Sequence, residues 1–185
     1  MTPEELYGKL DKCDLIDKVF DCFDLEILEE PMAPEDEFGH LAYNIDCVCF
    51  GVDGSGGQFL LLEDGSVGYW GSEGQLGRFA EGIEQCMVLV MGVPDWMELF
   101  GDDELFQDEE LLDEFVEGCK MDESEQIRLC QAQVADALGL KVPENAKSLL
   151  REFYRSATRE PVFQGIYTED DGDTYSVGGS LLECD

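Results

Sequence analysis

Residues 50–71, FGVDGSGGQFLLLEDGSVGYWG, restrict the possible folds more than any other part of the chain, because two glycine-rich turns flank one apolar run. Glycine adopts the positive φ angles that tight hairpins need, and both DGSGG and EDGS have the composition of turns. The segments LAYNIDCVCFGV, GQFLLLED and GSVGYWG around these turns are rich in residues that favour strands. The pattern predicts an antiparallel meander of three strands over residues 42–70.

The glycine-rich turn at residues 51–59, GVDGSGGQF, does not match the common ligand-binding loops. It lacks the Lys-Ser or Lys-Thr ending of a P-loop, and a strand rather than a helix follows Gly54-x-Gly56, which argues against a dinucleotide fingerprint. In an EF-hand loop starting at Asp53 the sixth residue would be Gln58, where the tight calcium loop needs glycine. We therefore interpret this segment as a hairpin turn.

Helical spacing of apolar residues appears on both sides of the meander. At the N-terminus, Thr2, Pro3 and Glu5 form a capping-box sequence, and helical periodicity continues to Phe23. The segment EGQLGRFAEGIEQCMVLVMGV predicts a helix over residues 75–91 that packs on the meander. We interpret EEPMAPEDEFGH, between the N-terminal helix and the meander, as a loop.

The C-terminal part reads as two helices and a hairpin. SEQIRLCQAQVADALGL predicts a helix closed by Gly139, and PENAKSLLREFYRSA predicts a second helix with an apolar face. PVFQGIYTEDDGDTYSVGG predicts two strands that turn at residues 170–173. Residues 1–185 are thus predicted to form a single α+β domain, an antiparallel β-meander flanked by helices.

The charge of the chain constrains its partners. Its 44 acidic and 11 basic residues give a net charge of −33. Such a charge repels nucleic acid and anionic membranes, and no run of about 18 apolar residues predicts a membrane span. It would accelerate the encounter with a basic protein, and it is equally compatible with a solvated coat that aids solubility.

Thirteen of the acidic residues, with a single lysine, lie between Glu98 and Glu125. One interpretation is a solvated helix face, and the other is a docking surface for a basic protein. Two tryptophans could anchor such a partner, although tryptophan is more often a core residue. The candidate partner-binding residues are Asp102, Asp103, Glu104, Asp108, Glu109, Glu110, Asp113, Glu114, Glu117, Trp70 and Trp96.

The eight cysteines and the single histidine give no catalytic or metal-binding pattern. Cys47-x-Cys49 lacks the further ligands of a zinc site, and His40 lies in a Pro/Gly-rich loop with nothing to orient it as a base. MTPEELYGKL has no signal-peptide pattern, so we expect a cytoplasmic protein with reduced thiols. We predict no enzymatic activity, no cofactor and no metal.

Residues 40–100 resemble the SUKH superfamily. In that family a meander carries a turn of the type G-x-D-x-x-G-x-x-(aromatic)-x-L, and here the corresponding residues run from Gly51 through Asp53 and Phe59 to Leu61. A strand of the type G-x-V-x-x-(aromatic) follows, matched by GSVGYW. The next segment, RFAEGIEQCMVLVM, departs from the SF-x-x-F-L helix that is usual in the family.

The SUKH resemblance implies an α+β fold and a bacterial immunity protein that binds a toxin domain in the cytoplasm, often a nuclease, and neutralises it by occlusion. Nucleases tend to be basic, so the resemblance and the charge lead to the same expectation. The alternative is a structural or regulatory adaptor of the same superfamily. A third, weaker possibility is an enzyme with a cationic substrate, which would need a deep pocket containing two carboxylates of perturbed pKa.

Overall fold

The computed structural model describes residues 1–34, 40–122, 124–169 and 171–182. In these residues the chain forms seven α-helices and two antiparallel sheets of five and three strands, which confirms the predicted α+β class. The helices are α1 (Pro3–Asp11), α2 (Ile16–Phe23), α3 (Ile83–Gly92), α4 (Asp103–Gln107), α5 (Glu109–Asp122), α6 (Glu125–Leu138) and α7 (Lys147–Ala157). The strands are β1 (Glu26–Met32), β2 (Leu41–Tyr43), β3 (Cys47–Val52), β4 (Gln58–Leu62), β5 (Val67–Trp70), β6 (Leu76–Ala80), β7 (Gly165–Thr168) and β8 (Thr174–Val177).

The predicted meander is present as β3, β4 and β5, and both predicted turns connect its strands. The first turn is closed by a hydrogen bond from the Asp53 amide to the Gly57 carbonyl (2.9 Å), and the second by one from the Leu62 amide to the Ser66 carbonyl (2.9 Å). Gly65 has a φ of 86°, the conformation for which glycine is favoured in such a turn. The local turn chemistry therefore decided this part of the fold.

The predicted helix over residues 75–91 is wrong in its first third. Leu76–Ala80 is a fourth meander strand, β6, paired with β5 at the edge of the sheet, and the helix α3 begins only at Ile83. All five residues of β6 are buried because both faces of this strand are covered. Burial on both sides removes the alternation of polar and apolar residues that identifies a strand in a sequence.

The first predicted strand of the meander is also corrected. Residues 41–43 do not continue into β3 but form β2, which pairs with β7 in the second sheet. The chain leaves β2 at Asn44, whose side chain donates to the Val162 carbonyl (2.8 Å). The strand that pairs with β3 on its other side is β1. This strand includes residues 29–32, which were predicted as part of a loop, so the loop prediction is wrong there. Residues 35–39 of the predicted loop lie outside the described residues.

The N-terminal helix begins as predicted but is interrupted. Thr2 and Glu5 form the capping box, with the Glu5 amide 3.3 Å from the Thr2 hydroxyl and the Thr2 amide 2.9 Å from the Glu5 carboxylate. The helix ends at Asp11, and Asp14 adopts a φ of 55°, outside the helical region. The single helix predicted to Phe23 is therefore two helices, α1 and α2.

Most of the core lies between the five-stranded sheet and the helices. Phe59, Tyr69, Phe79 and Trp96 form a cluster of edge-to-face contacts, and the Phe59 and Trp96 rings lie 5.3 Å apart. Side chains on the opposite sheet face, such as Leu60, pack in a smaller cluster with Phe163 and the second sheet. The strands β4, β5 and β6 are therefore buried on both faces.

The two C-terminal helices and the hairpin are present as predicted, except that the last helix begins at Lys147 and not at Pro143. Helix α6 is closed by Gly139 in a left-handed conformation, and the apolar face of α7 is buried. The strands β7 and β8 form the predicted hairpin, in which the Glu169 amide donates to the Asp173 carbonyl (2.8 Å). Asp170, within the predicted turn, lies outside the described residues.

Three glycines provide a test of this backbone. An added methyl group would meet no atom within 4 Å at Gly8 in α1, at Gly118 in α5 or at Gly139, which has a φ of 70°. We expect Gly8→Ala and Gly118→Ala each to increase the free energy of unfolding by about 0.5–1 kcal/mol, because alanine favours the helix. Gly139→Ala should lower it by about 1 kcal/mol through backbone strain alone. Urea unfolding of the three variants measures this, and the same sign at all three positions would contradict the assigned helix boundaries.

Candidate functional site

The acidic segment predicted as a docking surface folds into α4 and α5. Both helices are amphipathic: Leu105, Leu112 and Val116 are buried in the main core, and the acidic side chains point away from it. Of the nine acidic candidates Asp103 is half-buried and the others are exposed. The segment therefore presents its carboxylates on the surface of the protein.

Two of the candidate aspartates are helix caps. The Asp102 carboxylate accepts a hydrogen bond from the Leu105 amide at 2.9 Å and caps α4. The Asp108 carboxylate accepts from the Glu110 amide at 2.8 Å at the start of α5. Because removal of a capping side chain costs about 1 kcal/mol of helix stability, both residues have a structural role regardless of any partner.

Two further candidates are engaged in ion pairs with α7. Lys147 lies 2.6 Å from both Glu109 and Asp113, and Arg151 lies 2.6 Å from Glu109. Hydrogen bonds from Lys147 and then Arg151 lower the pKa of Glu109, and hydrogen bonds to Asp113 and then Glu109 raise the pKa of Lys147. Lys147 is half-buried, but both carboxylates and Arg151 are exposed, so the pairs contribute little stability while they hold α5 against α7.

The remaining acids of α5 form a stripe along one side of the helix. Glu110, Glu114 and Glu117 are exposed and spaced by four and three residues, so they lie on one helix face, and we call these three residues the α5 stripe. Within the described residues none of them has a basic side chain at ion-pair distance. Leu111, adjacent to the stripe, is 42% exposed.

The two tryptophans have different positions. Trp96 is 1% exposed, packs among the core aromatics and has its Nε1 3.3 Å from the Phe23 carbonyl, to which it donates a hydrogen bond. It is a core residue, and we remove it from the candidate docking surface. Trp70 is half-buried and makes an edge-to-face contact with Tyr43, with ring centroids 6.0 Å apart, on the sheet face that carries the smaller cluster.

Sequence reasoning missed a buried carboxylate at the first glycine turn. Asp53 is 4% exposed, and it accepts hydrogen bonds from the Ser55 hydroxyl (2.6 Å), the Gly57 amide (3.0 Å) and the Tyr69 hydroxyl (2.5 Å). Burial alone would raise the pKa of Asp53, but the hydrogen bonds outweigh burial and lower it. Burial and the bond to Asp53 raise the pKa of Tyr69. The signal in the sequence is the Asp-x-Ser pattern of an Asx turn.

The same Asp-x-Ser pattern recurs at the second turn, where it binds arginine. Asp64 accepts from the Ser66 amide (3.0 Å) and lies 2.9 Å from Arg78 and 3.0 Å from Arg159. Arg78 is 1% exposed, and its Nε also donates to the Pro161 carbonyl (3.1 Å). The arrangement joins the meander to the segment after α7, so these two arginines serve the fold.

The sequence predicts no metal or thiol chemistry, and the geometry at Cys47 and Cys49 does not suggest any. Cys49 is buried and Cys47 is half-buried, and burial raises the pKa of the Cys47 thiol to about 12. Among the described residues no three His, Cys, Asp or Glu side chains are grouped as metal ligands. His40 stacks edge-to-face on Tyr167 with ring centroids 5.9 Å apart. The absence of a metal stays a prediction.

Two carboxylates that share a hollow bear on the enzyme alternative. An open hollow of about 440 Å³ is lined by Glu81, Gln85, Glu152 and Arg155. Glu81 forms an ion pair with Arg159 at 2.6 Å, and Glu152 accepts a hydrogen bond from Gln85 at 3.3 Å. Both carboxylates therefore have structural partners. The hollow is open, whereas a catalytic pocket would enclose its substrate.

Comparison of the chain with models of protein families, with curated proteins and with solved structures found no match. Within the described residues, no helix combines the length and the apolar character that a membrane span requires.

Asp53 provides a test of the buried turn. We expect Asp53→Asn to lower the free energy of unfolding at neutral pH by about 2 kcal/mol, because an amide replaces a carboxylate that accepts several hydrogen bonds. Since the pKa of Asp53 is lower in the folded protein than the usual 3.8, this difference should be complete above about pH 4 and diminish as pH falls further.

Urea unfolding at a series of pH values measures this difference. Glu114→Gln removes the same single charge from the exposed α5 stripe and is the matched control, which should leave the stability at neutral pH within about 0.5 kcal/mol of wild type. An Asp53→Asn variant as stable as the control at neutral pH would contradict the role assigned to this carboxylate.

Proposed function

We propose that this protein is an immunity protein that binds a basic toxin domain, of the nuclease type, and neutralises it by occlusion. The observation that carries the proposal is the α5 stripe, three exposed glutamates on one helix face without basic neighbours at ion-pair distance in the described part of the chain. The alternative is a non-catalytic adaptor of the SUKH superfamily. Membership in that superfamily, inferred from residues 40–100, belongs to the proposal.

The distribution of the few basic residues supports the α5 stripe as the docking surface. Lys147 and Arg151 approach the acidic segment only on the side that faces α7, where they neutralise Glu109 and Asp113. None of the three glutamates of the stripe is paired with a basic side chain of the described residues, on a protein whose net charge is already −33. A surface of this kind attracts a basic partner at long range and aligns it before contact.

An exposed apolar side chain beside the stripe supports a specific contact. Leu111 lies next to Glu110 and is 42% exposed, although the neighbouring Leu112 is 3% exposed. Interfaces combine a small apolar centre with a polar rim, and such a centre determines how long the complex persists. Trp70, which is half-buried, remains a second candidate anchor.

The mechanism would require no turnover. A nuclease binds the phosphates of its substrate with a basic surface, and a bound acidic protein occupies that surface both sterically and electrostatically. The gene of a toxin domain next to the gene of this protein would favour the immunity function, and such a neighbour is not expected for an adaptor. Co-expression then tests whether this protein restores growth to cells that produce the toxin domain.

The sharpest test reverses charges on the α5 stripe. A Glu110→Lys, Glu114→Lys, Glu117→Lys variant should associate with the toxin domain at least about tenfold more slowly than wild type at low salt, with a smaller change in dissociation. Its association rate should also depend less on salt. Asp102 is not a suitable target, because it caps α4 and its replacement would disturb the helix.

The matched control makes the same change of net charge on other elements. Asp21→Lys, Glu29→Lys and Glu30→Lys alter three exposed acids of α2 and β1, and the main packing partners of these elements are α1, β3 and α6 rather than α5. We expect this control to slow association by less than about threefold. Equal slowing in both variants would show that only the net charge matters and would place the docking surface elsewhere.

A further inference from the structure

Two cysteines from distant parts of the sequence meet between α2 and α6. Cys130 of α6 lies against the turn of α2 that ends in Cys22, and the neighbouring Cys22 thiol contributes to the raised pKa of Cys130. The Cys130 Sγ also lies 3.4 Å from the Lys18 carbonyl oxygen, to which it donates. The two cysteines are more than a hundred residues apart in the sequence, so only the packing of the two helices brings them together.

The packing of α2 on α6 holds the two thiols in this position. Lys18 lies one helical turn before Cys22, and side chains of a helix lean toward its N-terminus, so the Cys22 side chain leans toward the carbonyl that Cys130 contacts. The Lys18 Nζ donates to Gln133 of α6 at 3.1 Å, three residues beyond Cys130. Val19 of α2 and Val134 of α6 are both buried in the main core. The packing of α2 on α6 is thus supported by a further hydrogen bond and by buried apolar side chains on both helices.

Cys13, Cys47 and Cys49 are placed differently from Cys22 and Cys130. Cys13 is exposed on the segment between α1 and α2. Cys47 and Cys49 are two residues apart on β3 and project from the same face of one extended strand. Successive residues on one face of a strand are held more than 6 Å apart by the extended backbone, near the upper limit for a disulfide.

We propose that Cys22 and Cys130 form a reversible disulfide by exchange with a low-molecular-weight disulfide such as oxidised glutathione. In the first step the Cys22 thiolate attacks one sulfur of oxidised glutathione, a mixed disulfide forms, and one glutathione thiolate leaves. In the second step the Cys130 sulfur attacks the Cys22 sulfur, and the second glutathione leaves with the proton that Cys130 loses. One oxidised glutathione is consumed, two reduced glutathiones are released, and the protein loses two thiols.

The environments of the two thiols determine this order. Cys22 is half-exposed and can be reached by glutathione, whereas Cys130 is 4% exposed. Burial, followed by the neighbouring Cys22 thiol, raises the pKa of Cys130 to about 12. Cys130 is therefore protected from direct attack and acts second, when the sulfur of the mixed disulfide is already beside it.

The disulfide would join α2 covalently to α6 across most of the chain. A cross-link that closes a loop of this length removes much conformational freedom from the unfolded chain and so stabilises the fold. By linkage, the equilibrium constant for disulfide closure must then be larger in the folded protein than in the unfolded protein. The ratio of the two constants equals the factor by which the disulfide stabilises the fold. This relation makes the proposal measurable in the wild-type chain without any substitution.

The experiment equilibrates the reduced wild-type protein with mixtures of reduced and oxidised glutathione, in native buffer and in concentrated urea. After rapid alkylation and digestion, mass spectrometry measures the fraction of Cys22 linked to Cys130. We expect the equilibrium constant for closure to be at least about tenfold larger in the native protein than in urea. A constant that is equal or smaller in the native protein would overturn the proposal.

Single substitutions identify the residues. Cys22→Ser and Cys130→Ser should each abolish the loss of two thiols, and in Cys130→Ser the mixed disulfide of Cys22 with glutathione should accumulate. Cys13→Ser, at an exposed cysteine, is the matched control and should form the disulfide as wild type does. Persistence of the Cys22 mixed disulfide in the wild-type protein, with Cys130 still open to alkylation after unfolding, would also overturn the proposal.

Discussion

The contact between Phe59 and Trp96 connects the five-stranded sheet to the segment before α4. Phe59 is the second residue of β4, and its ring lies 5.3 Å from Trp96, 5.2 Å from Tyr69 and 5.5 Å from Phe79. Trp96 donates in turn to the Phe23 carbonyl at the end of α2. Large aromatic side chains bury much apolar area each, so this cluster holds the sheet, the N-terminal helices and the segment before α4 in a single core.

The scarcity of positive charge shapes the surface that this core supports. With 11 basic residues for 44 acidic ones, most carboxylates have no cation to pair with. The structure uses several cations where two elements must be joined: Arg78 and Arg159 at Asp64, and Lys147 and Arg151 between α5 and α7. Repulsion among the remaining acids opposes compaction, and the buried aromatic core has to offset it. The α5 stripe is a consequence of this distribution, because no basic side chain of the described residues lies at ion-pair distance from it.

The parts of the fold that the sequence predicted correctly depend on neighbours in the chain. The turns after β3 and β4, the capping box at Thr2 and the left-handed Gly139 are local features whose residue chemistry is nearly independent of context. The acidic candidates were found for a similar reason, since an amphipathic helix exposes its charged face wherever it packs. Their separation into caps, ion pairs and unpaired residues was not predictable, because it depends on the position of α7.

The sequence by itself determined the meander and its turns, the amphipathic helices and the acidic face of α5, because side-chain period and turn chemistry act over a few residues. Only the tertiary structure decided that Leu76–Ala80 is a strand, since burial on both faces removed its alternation. It also decided that Leu41–Tyr43 pairs with β7, and that Cys22 meets Cys130. Each of these depends on a partner that is distant in the sequence, and the competition among possible partners is resolved by the packing of the whole core.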